Sequence, residues 1–596
     1  MTKTNETFIG KVRSVTGSTL AVELDENIRS TLPIINGVLY RVGQIGSFIK
    51  IPLGYIDLFG VITQAGSDAI PEKLMAQEEI KGSRWIKATL IGERIGIKFE
   101  RGVLQFPIAD DAVHLVTKDD LELIYGGLDK SKSISVGQVS ASESLSARID
   151  IDRLVNRHCA ILGSTGSGKS NTVSVILEAI ATRMDQNEKQ IKSTRILLVD
   201  PHGEYGEVLK DFSQVFKVGA ISSKKEKELL IPYWALPFQE FIKSFPGNLN
   251  EKQEEYIREK VLQKKIKSSK NLILVPKEEA ITADSPIPFS VKQLWFELDD
   301  FERQTYTNRA DPSSSTLDKT DLGDANTLKS NKYTPAGNGG ASPFMNNSAQ
   351  GILGFLTLMR NRLLDQRFKF LFELEDLTPE LDGKIKSDLD NLVESWIGID
   401  KPITILDLSS IPSEIMGSIS GSLLSIIYEF LYWGQGEDVG GRQTPILFVL
   451  EEAHNYLKSG ENSISSRTVQ KIAKEGRKYG SGLLLVTQRP SELDDTVLSQ
   501  CGSVIALRMT NSNDRGHIKS AVEDSLTELV DLLPSLRTGE GLIMGECVKL
   551  PMRTKFKKAK ESKSTDPLVS EQWKNSLPES TNYKKVLEFW RNNKLS

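Results

Sequence analysis

The sequence predicts an α/β protein in which a helix-covered parallel sheet follows a β-rich N-terminal module and is interrupted by a helical insertion. Over residues 1–125, short apolar stretches alternate with Gly, Pro, Asn and Asp turns, a spacing typical of a small barrel or sandwich. From about residue 150, apolar runs alternate with helical segments, which indicates a parallel sheet. Between residues 210 and 400 the chain is polar and mostly helical in character.

The N-terminal module contains six short stretches that we predict to be strands: Phe8–Val15, Thr19–Leu24, Gln44–Ile51, Leu58–Thr63, Trp85–Ile91 and Gly96–Phe99. Turn-forming residues separate these stretches from one another. No cluster of titratable side chains in the module suggests catalysis. We therefore interpret residues 1–125 as a structural or oligomerising unit.

Six apolar runs are predicted to be strands of the parallel sheet: His158–Leu162, Arg195–Asp200, Ile403–Leu408, Ile446–Leu450, Gly482–Thr487 and Ser503–Arg508. A helix is predicted over Asn171–Met184, directly after the first run. Runs such as Ile446–Leu450 are apolar throughout, as strands buried on both faces are. They are far shorter than the ~20 residues that a membrane-spanning helix needs, so the sequence predicts no membrane span.

These patterns divide the chain into five predicted segments: a β-barrel (1–125), the first part of the α/β core (126–209), a helical insertion (210–400), the second part of the core (401–560) and a C-terminal tail (561–596). Within the insertion, Asn250–Lys267 is the clearest charged helix, and the tail is expected to contain a helix over Asn582–Asn593. Residues 307–347 are rich in Ser, Thr, Asn, Gly and Asp. We predict a mobile loop there, because such a tract buries too little apolar surface to offset its ordering entropy.

Composition limits the classes of function. The 596 residues are 39% hydrophobic and 26% charged, which is typical of globular proteins. A net charge of −4 argues against a protein that simply coats DNA, although it permits a local basic surface such as the lining of a pore. The three cysteines lie far apart without metal-ligand spacing, which favours reduced core thiols. The N-terminus has no signal-like apolar stretch, so we expect a cytoplasmic protein.

A phosphate-binding motif follows the first strand of the core. Residues 163–170 read GSTGSGKS and fit the pattern GxxxxGK[ST], between a strand and a helix. Glycines let the backbone curl so that its N–H groups point at phosphate oxygens, and the helix N-terminus adds partial positive charge. Lys169 should reach the β- and γ-phosphates of ATP, and the Ser170 hydroxyl should ligate Mg²⁺. The predicted nucleotide-binding residues are Gly163, Ser164, Thr165, Gly166, Ser167, Gly168, Lys169, Ser170 and Asn171.

Two carboxylates follow another core strand. Ile446–Leu450 delivers Glu451 and Glu452 to its carboxyl end, where open α/β sheets bind ligands. Glu451 suits Mg²⁺ or its water shell, and Glu452 suits a general base that polarises the attacking water. The alternative is a strand end that exposes acidic residues to solvent.

Further candidates follow two other strands. Asp200 and Glu204 come after Arg195–Asp200 and are expected at the same edge of the sheet. Gln488 comes after Gly482–Thr487, where it can connect the γ-phosphate or the lytic water to structural change elsewhere. For Asp200 and Gln488, an ordinary strand-end turn stays open as the alternative.

Two arginines are candidates for stabilising the transition state of phosphoryl transfer, which places negative charge on the γ-oxygens. Arg477 lies at a predicted helix end, so it is either an arginine finger or a cation that complements the helix C-terminus. Arg157, directly before the first core strand, is the second candidate.

Five segments together resemble the HerA branch of the HerA/FtsK ATPases: GSTGSGKSNTV, VDPHGEY, VLEEAHNYL, KEGRKYGSGLLLVTQRPSELDDTVLSQC and LPSLRTGEGLIMGE. The N-terminal module is similar in position and pattern to the HAS barrel of that family. The resemblance covers most of residues 1–560 and implies a RecA-like ATPase core. It further implies a homo-hexameric ring that hydrolyses ATP at subunit interfaces and moves double-stranded DNA through a central pore.

The resemblance also implies roles for individual residues. Lys169 and Ser170 match the phosphate and Mg²⁺ ligands, and Glu452 matches the catalytic carboxylate. Gln488 matches a sensor glutamine, whereas Arg477 and Arg157 match arginines that serve the interfacial site.

One departure concerns the carboxylate pair. Many relatives have Asp-Glu where this chain has Glu451-Glu452, and the extra methylene group puts the Mg²⁺ role of Glu451 in doubt.

HerA-like motors typically act with a separate effector, so the resemblance implies a nuclease or a Sir2-like NADase as a second polypeptide, bound through the ring or the barrel. The implied setting is anti-phage defence or DNA end processing. An alternative function is an ATP-gated ring scaffold that assembles and activates effector subunits without processive translocation. A metabolic P-loop kinase has less support, because no acceptor-site motif is visible.

Overall fold

The computed structural model describes residues 7–559 and 583–591, apart from 27, 29–33, 36–37, 40–41, 67–69, 71–82, 127–128, 130, 141, 185–190, 192, 309–310, 339–340, 399–400, 462 and 523. Most of the predicted C-terminal tail therefore lies outside the described residues. The helix predicted there over Asn582–Asn593 is present throughout the described part of that range, Tyr583–Arg591.

The N-terminal strands form a closed antiparallel barrel. They are β1 (Phe8–Thr16), β2 (Thr19–Leu24), β3 (Ile34–Ile35), β4 (Val38–Leu39), β5 (Phe48–Leu53), β6 (Ile56–Ala65), β7 (Arg84–Ile95), β8 (Lys98–Arg101) and β9 (Ala112–Leu115), and helix α1 (Lys118–Gly126) follows. Six of them pair in the order β2-β1-β9-β5-β6-β7, and β2 pairs with β7 to close the barrel. Closure leaves none of these six strands at a free edge, while β8 extends the sheet from β7. The predicted barrel is confirmed.

The other elements in chain order fall into three groups. The first part of the core contains β10 (Ser133–Val139), β11 (Ser142–Asp150), α2 (Ile151–Asn156), β12 (Cys159–Leu162), α3 (Lys169–Ala181), β13 (Arg195–Asp200), α4 (Tyr205–Val208), β14 (Ser213–Lys217) and β15 (Lys227–Glu228). The insertion contains α5 (Phe238–Lys243), α6 (Glu251–Ser269), α7 (Val291–Arg303), β16 (Thr305–Tyr306), β17 (Phe344–Met345), α8 (Leu353–Leu364), α9 (Lys369–Phe372) and α10 (Leu389–Ile397). The second part of the core contains β18 (Ile403–Asp407), α11 (Ser413–Trp433), β19 (Ile446–Leu450), α12 (Ile464–Glu475), β20 (Ser481–Thr487), α13 (Asp495–Ser499), β21 (Ser503–Leu507), α14 (Ser512–Ala521), β22 (Glu540–Gly545) and β23 (Met552–Phe556). Helix α15 (Tyr583–Arg591) lies in the tail.

The core is one sheet in the order β11-β10-β23-β22-β21-β12-β20-β19-β13-β18-β14-β15. The strands from β21 to β15 run parallel, and β12 lies between β20 and β21. Every residue of β12, β18, β19, β20 and β21 is buried, which explains why most residues of these strands are apolar. All six predicted core strands are present.

An antiparallel group, formed by β22, β23, β10 and β11, extends the parallel sheet beyond β21. The sequence did not predict these strands. In β23 the buried residues alternate with the more exposed Arg553 and Lys555, so this strand lacks the continuous apolar run of the parallel strands. This group brings residues 537–559 beside the loop that follows β12.

The insertion packs around buried aromatic side chains. Tyr233 contacts Phe241, Phe289 and Phe372 with ring centroids 5.5–6.0 Å apart. The predicted charged helix is α6, and Asn250 begins it with a capping box to Gln253. These aromatic side chains belong to the same continuous hydrophobic core as the strands of the sheet, so the insertion is packed onto the core.

The tract 307–347 follows an irregular course beside α7. Asn331 Nδ2 and Tyr333 Oη both donate to Asp300 Oδ1, and Leu328 is buried beneath them. The absence of long regular elements among its described residues agrees with a loop. Its mobility stays a prediction.

Among the helices that the structure describes, one, α11, has the length and apolar composition of a membrane span. In this fold 61% of its most apolar window is buried inside the protein, and it packs on α12. Core helices of globular proteins have the same character. The three cysteines, Cys159, Cys501 and Cys547, are free and buried.

Candidate active site

The loop over residues 163–168 joins β12 to α3 and has a conformation that two of its glycines make possible. Gly166 (φ +72°) and Gly168 (φ +98°) lie in the left-handed region. A Cβ at Gly168 would stand 3.2 Å from the backbone of Gly539, whose N–H donates to Ser167 O at 2.9 Å. The loop is therefore held against the segment that begins β22. Among the described residues, the buried Ser167 Oγ has no hydrogen-bond partner.

Lys169, the first residue of α3, lies between the two predicted carboxylates. Its Nζ is 2.7 Å from Glu451 Oε1 and 2.8 Å from Glu452 Oε1. Burial lowers the pKa of Lys169, but attraction to Glu451 and Glu452 outweighs burial and raises the pKa above its ordinary value. The ammonium thus stays charged in a buried position.

Glu451 is enclosed on every side. Lys169 reaches its Oε1, and the Tyr205 hydroxyl donates to its Oε2 at 2.9 Å. The Tyr456 hydroxyl donates to the Glu451 carbonyl oxygen. Burial raises the pKa of Glu451, and the charge of Lys169 opposes that rise. Both carboxylate oxygens are already engaged, so Glu451 is better placed to orient Lys169 than to bind a metal directly.

Glu452 differs from its neighbour in both backbone and side chain. Its φ of +47° lies in the left-handed region, which costs free energy for a residue with a side chain and recurs at active sites. Its buried Oε2 accepts no hydrogen bond from the described residues. His454 Nδ1 is 3.3 Å away, but that nitrogen pairs with Thr487 Oγ1 at 3.0 Å. One carboxylate oxygen is therefore available to a water molecule.

The candidate metal ligands lie at the same edge of the sheet. The Ser170 hydroxyl donates to Glu204 Oε2 at 2.9 Å. Mg²⁺ prefers oxygen ligands and usually takes one or two carboxylates, waters and phosphate oxygens. The pair of Ser170 and Glu204 fits this ion, directly or through water, better than Glu451 does. No cluster of three or more acidic, His or Cys side chains suited to a metal occurs in the described ranges.

Asp200 stabilises the turn that follows it. Its carboxylate accepts from the backbone N–H groups of His202, Gly203 and Tyr205. Burial raises the pKa of Asp200 to about 7, although the Tyr205 N–H opposes the rise. This turn presents Glu204 to Ser170 and Tyr205 to Glu451.

Gln488 reaches the phosphate-binding loop, because its Oε1 accepts from the Thr165 hydroxyl. Asn171 faces away from the loop, toward the C-terminal end of the core. Its Nδ2 donates to Lys557 O at 2.7 Å, and its Oδ1 accepts from Ala559 N at 2.9 Å. The side chain predicted to bind nucleotide thus ties α3 to residues 557–559.

The two predicted arginines lie at the opposite edge of the sheet, where the parallel strands have their amino ends. Arg157 directly precedes His158 and β12, with its Nε 3.5 Å from Glu546 Oε2, and the exposed Arg477 lies in the 3₁₀ turn before β20. Strand β20 spans seven residues, so about 20 Å separates its ends. Gln488 and the phosphate-binding loop are at the far end. Neither arginine can therefore reach the loop of its own chain.

Sequence reasoning missed several contributors to the site: Tyr205, Tyr456, His454, Thr487 and Gly539. Tyr205 and His454 fall inside the segments VDPHGEY and VLEEAHNYL, so their positions carried a signal. Their partners are far away in sequence, and nothing in the local pattern indicates which atoms they contact.

Replacing Tyr205 by phenylalanine should lower the free energy of unfolding by about 1–3 kcal/mol, because the buried Glu451 Oε2 loses its donor. Chemical denaturation measures this change. The matched control is Tyr55→Phe, since Tyr55 is 81% exposed and its substitution should change stability by less than about 0.5 kcal/mol. Equal stability of the two variants would contradict the described contact.

This arrangement combines a phosphate-binding loop, a buried cation, an unpaired carboxylate oxygen and a hydroxyl–carboxylate pair at one edge of the sheet. Such a set suits cleavage of a phosphoanhydride by water.

Two family models match consecutive parts of the chain. "Helicase HerA, central domain" matches residues 134–427, and "Helicase HerA-like C-terminal" matches residues 418–547. The DNA double-strand break repair helicase HerA of Sulfurisphaera tokodaii is 25% identical over 484 residues, covering 81% of this chain and 80% of the relative. The same-named protein of Pyrococcus furiosus is 25% identical and covers 75% and 73%.

Similar solved structures include VirB4 of Thermoanaerobacter pseudethanolicus, with a TM-score of 0.45 and 14% identity over 73% of this chain and 99% of that chain. The bacterial conjugative coupling protein TrwB has a TM-score of 0.39 and 11% identity over 73% and 91%. Because the two consecutive HerA models together match residues 134–547, this chain belongs to the HerA helicase family.

Proposed function

We propose that this chain is the subunit of an ATP-hydrolysing motor that assembles into a homo-hexameric ring and moves double-stranded DNA. The proposal rests on the division of the site residues between the two edges of the sheet at which the parallel strands begin and end. Lys169, Glu452 and Gln488 lie at one edge, and Arg157 and Arg477 lie at the other. A complete phosphoryl-transfer site needs both sets. A second copy of the chain supplies the two arginines when their edge of its sheet meets the loop edge of the first copy.

Within one subunit, the residues of the loop edge bind and orient the substrate. The backbone N–H groups of residues 163–170 bind the phosphates of ATP, and Lys169 turns from its carboxylate partners to the β- and γ-phosphates. Ser170 and Glu204 would hold Mg²⁺, which neutralises charge on the phosphate oxygens. Glu452 Oε2 accepts a proton from the attacking water as the water oxygen bonds to the γ-phosphorus and the bond from that phosphorus to the β–γ bridging oxygen breaks, which releases ADP.

Gln488 and the arginines extend the site beyond this chemistry. Gln488 contacts Thr165 of the loop and follows directly after β20. Loss of the γ-phosphate on hydrolysis is therefore transmitted by Gln488 to the sheet. Arg477 and Arg157 act on the neighbouring subunit's ATP, where they stabilise the charge that develops on the γ-oxygens. A lone subunit should therefore hydrolyse ATP poorly.

An exposed apolar surface at one end of the barrel suits a partner protein. Tyr55 (81%), Ile97 (86%), Leu104 (84%) and Ile108 (71%) are all largely exposed. Tyr55 and Ile97 occupy neighbouring hairpin turns, because Ile56 pairs with Ile95. Clusters of exposed apolar side chains mark interaction sites. We assign this barrel-end surface to an effector, a nuclease or a Sir2-like NADase, with which the cytoplasmic motor acts in anti-phage defence or DNA end processing.

The alternative function is an ATP-gated ring scaffold that activates effector subunits without moving DNA. The barrel-end surface and the acidic net charge favour it. The two functions differ in how ATP turnover responds to DNA.

The deciding experiment measures native mass and ATP turnover with and without double-stranded DNA at low salt. The motor predicts a hexamer whose turnover rises with DNA, and Lys169→Ala should abolish turnover while the ring stays intact. An intact hexamer whose turnover ignores DNA would refute the motor and support the scaffold.

In the same preparations, Ile97→Asp with Leu104→Asp should abolish capture of a nuclease or NADase without lowering DNA-stimulated turnover.

A further inference from the structure

His158 lies between Arg157 and the first residue of β12, and the function proposed above gives it no role. Its side chain is buried, and its φ of +53° is in the left-handed region, which few residues with side chains adopt. Burial lowers the pKa of His158 to about 4, so the imidazole is neutral at physiological pH. A buried polar ring in a strained backbone position requires partners on both nitrogens.

Both ring nitrogens have partners, and the partners define the tautomer. The backbone N–H of Leu483 donates to Nδ1 at 3.0 Å, so Nδ1 carries no proton. Nε2 therefore carries the proton and donates to the Ala473 carbonyl oxygen at 3.1 Å. A neutral imidazole accepts at the first position and donates at the second from one rigid ring.

These two partners stand on either side of the Arg477 turn. Ala473 lies in the last turn of α12, four residues before Arg477, and Leu483 lies in β20, six residues after it. Arg157 is bonded to His158 through the chain, and its carbonyl oxygen accepts from Gly502 N–H at 2.7 Å. One imidazole thus joins the segment that carries Arg157 to both ends of the segment that carries Arg477.

The Arg477 side chain depends on this turn for its direction. It is exposed, and no hydrogen bond or ion pair holds its guanidinium within the described part of the chain. The turn itself is fixed at its far end, where Arg442 Nε donates to Lys478 O at 3.0 Å. His158 fixes the near end through Ala473.

We propose that His158 is a positioning residue that holds Arg157 and Arg477 as one rigid unit, so that both arginines reach the neighbouring subunit's triphosphate together. The inference rests on the interfacial site proposed above. His158 touches neither ATP nor its own phosphate-binding loop. It acts through the two arginines.

Two substitutions separate the two hydrogen bonds. In His158→Asn, Oδ1 takes the place of Nδ1 and asparagine tolerates the left-handed backbone, but the side chain is too short to reach Ala473. In His158→Gln, Nε2 keeps the bond to Ala473 but the acceptor for Leu483 is lost. We expect the Asn variant to fold and bind ATP with an unchanged KM while kcat falls roughly 10- to 100-fold. The Gln variant should keep more of kcat but melt at a lower temperature.

Mixed rings distinguish positioning of the arginines from a structural effect on the loop. Co-expressed with Lys169→Ala subunits, His158→Asn subunits should regain turnover, because their intact loops then face intact arginines. Mixed with Arg477→Ala subunits, His158→Asn subunits should not regain turnover, since both variants are defective at the edge that carries the arginines. Failure to recover with Lys169→Ala, or an unchanged kcat in His158→Asn rings, would overturn the inference.

Rings that mix Arg477→Ala with Lys169→Ala subunits are the control, and they contain no change at His158. Recovery in this control supports the interfacial site independently. If the control does not recover, the interfacial site itself is wrong, and the role of His158 falls with it.

Discussion

Replacing Arg477 by alanine should leave ATP binding unchanged and lower ATP turnover by about 10³- to 10⁵-fold, the range measured for arginine fingers. The reason is geometric. Arg477 is exposed at the end of the sheet about 20 Å from its own phosphate-binding loop, so its charge serves another subunit's ATP. Nucleotide-binding affinity and steady-state turnover of the same purified ring measure the two quantities separately.

The neighbouring Lys478 provides the matched control for Arg477. It lies in the same turn, is also exposed, and uses its backbone carbonyl rather than its side chain to hold Arg442. Lys478→Ala should therefore change turnover by less than about tenfold. Arg477→Lys should restore little, because lysine lacks the planar fork that engages two phosphate oxygens. Full turnover of Arg477→Ala in an intact ring would exclude the interfacial role.

Replacing Glu452 by glutamine should lower turnover by about 10²- to 10⁴-fold, the usual contribution of a general base. The amide has the size of the carboxylate and keeps a carbonyl oxygen for Lys169, but it cannot accept a proton from water. Among the carboxylate oxygens of Glu451 and Glu452, only Glu452 Oε2 is buried and accepts no hydrogen bond from the described residues. Single-turnover cleavage of bound ATP measures the chemical step without product release.

Glu492→Gln is the control for this substitution. Glu492 lies just beyond Gln488 and pairs with Arg489 at 2.8 Å, but the two side chains are 41% and 59% exposed, respectively. Exposed ion pairs contribute little, so stability and turnover should stay close to the parent. Equal losses in the two variants would mean that Glu452 acts through local charge rather than as the base.

Much of the fold could be predicted from the sequence. Core strands such as Ile446–Leu450 are buried on both faces, so their apolar runs are continuous and stand out. The phosphate-binding loop could be located because phosphate contact demands glycine at Gly166 and Gly168, where φ is positive. The antiparallel strand β23 was missed, since alternating residues leave a weaker signal over five positions, and β22 was missed although its central residues are continuously buried.

The candidate site was predicted as a set of residues, but the contacts among them were not. Parallel strands place their carboxyl ends at one edge, so the sequence could bring Glu451, Glu452 and Gln488 together. It could not show that Lys169 lies between the two glutamates or that Tyr205 occupies the second oxygen of Glu451. Asn171 shows the same limit, because its partners at Lys557 and Ala559 are almost 400 residues away.

The sequence by itself determined the strand–loop–helix unit that binds phosphate, since each of its requirements is local: an apolar strand, glycines with free backbone angles and a helix start. Only the tertiary structure decided which groups share an edge with that unit. Arg157 and Arg477 are separated by 320 residues, yet sheet order places β12 beside β20 and one imidazole joins their ends. Such contacts depend on how distant segments pack, and no local pattern of residues encodes that packing.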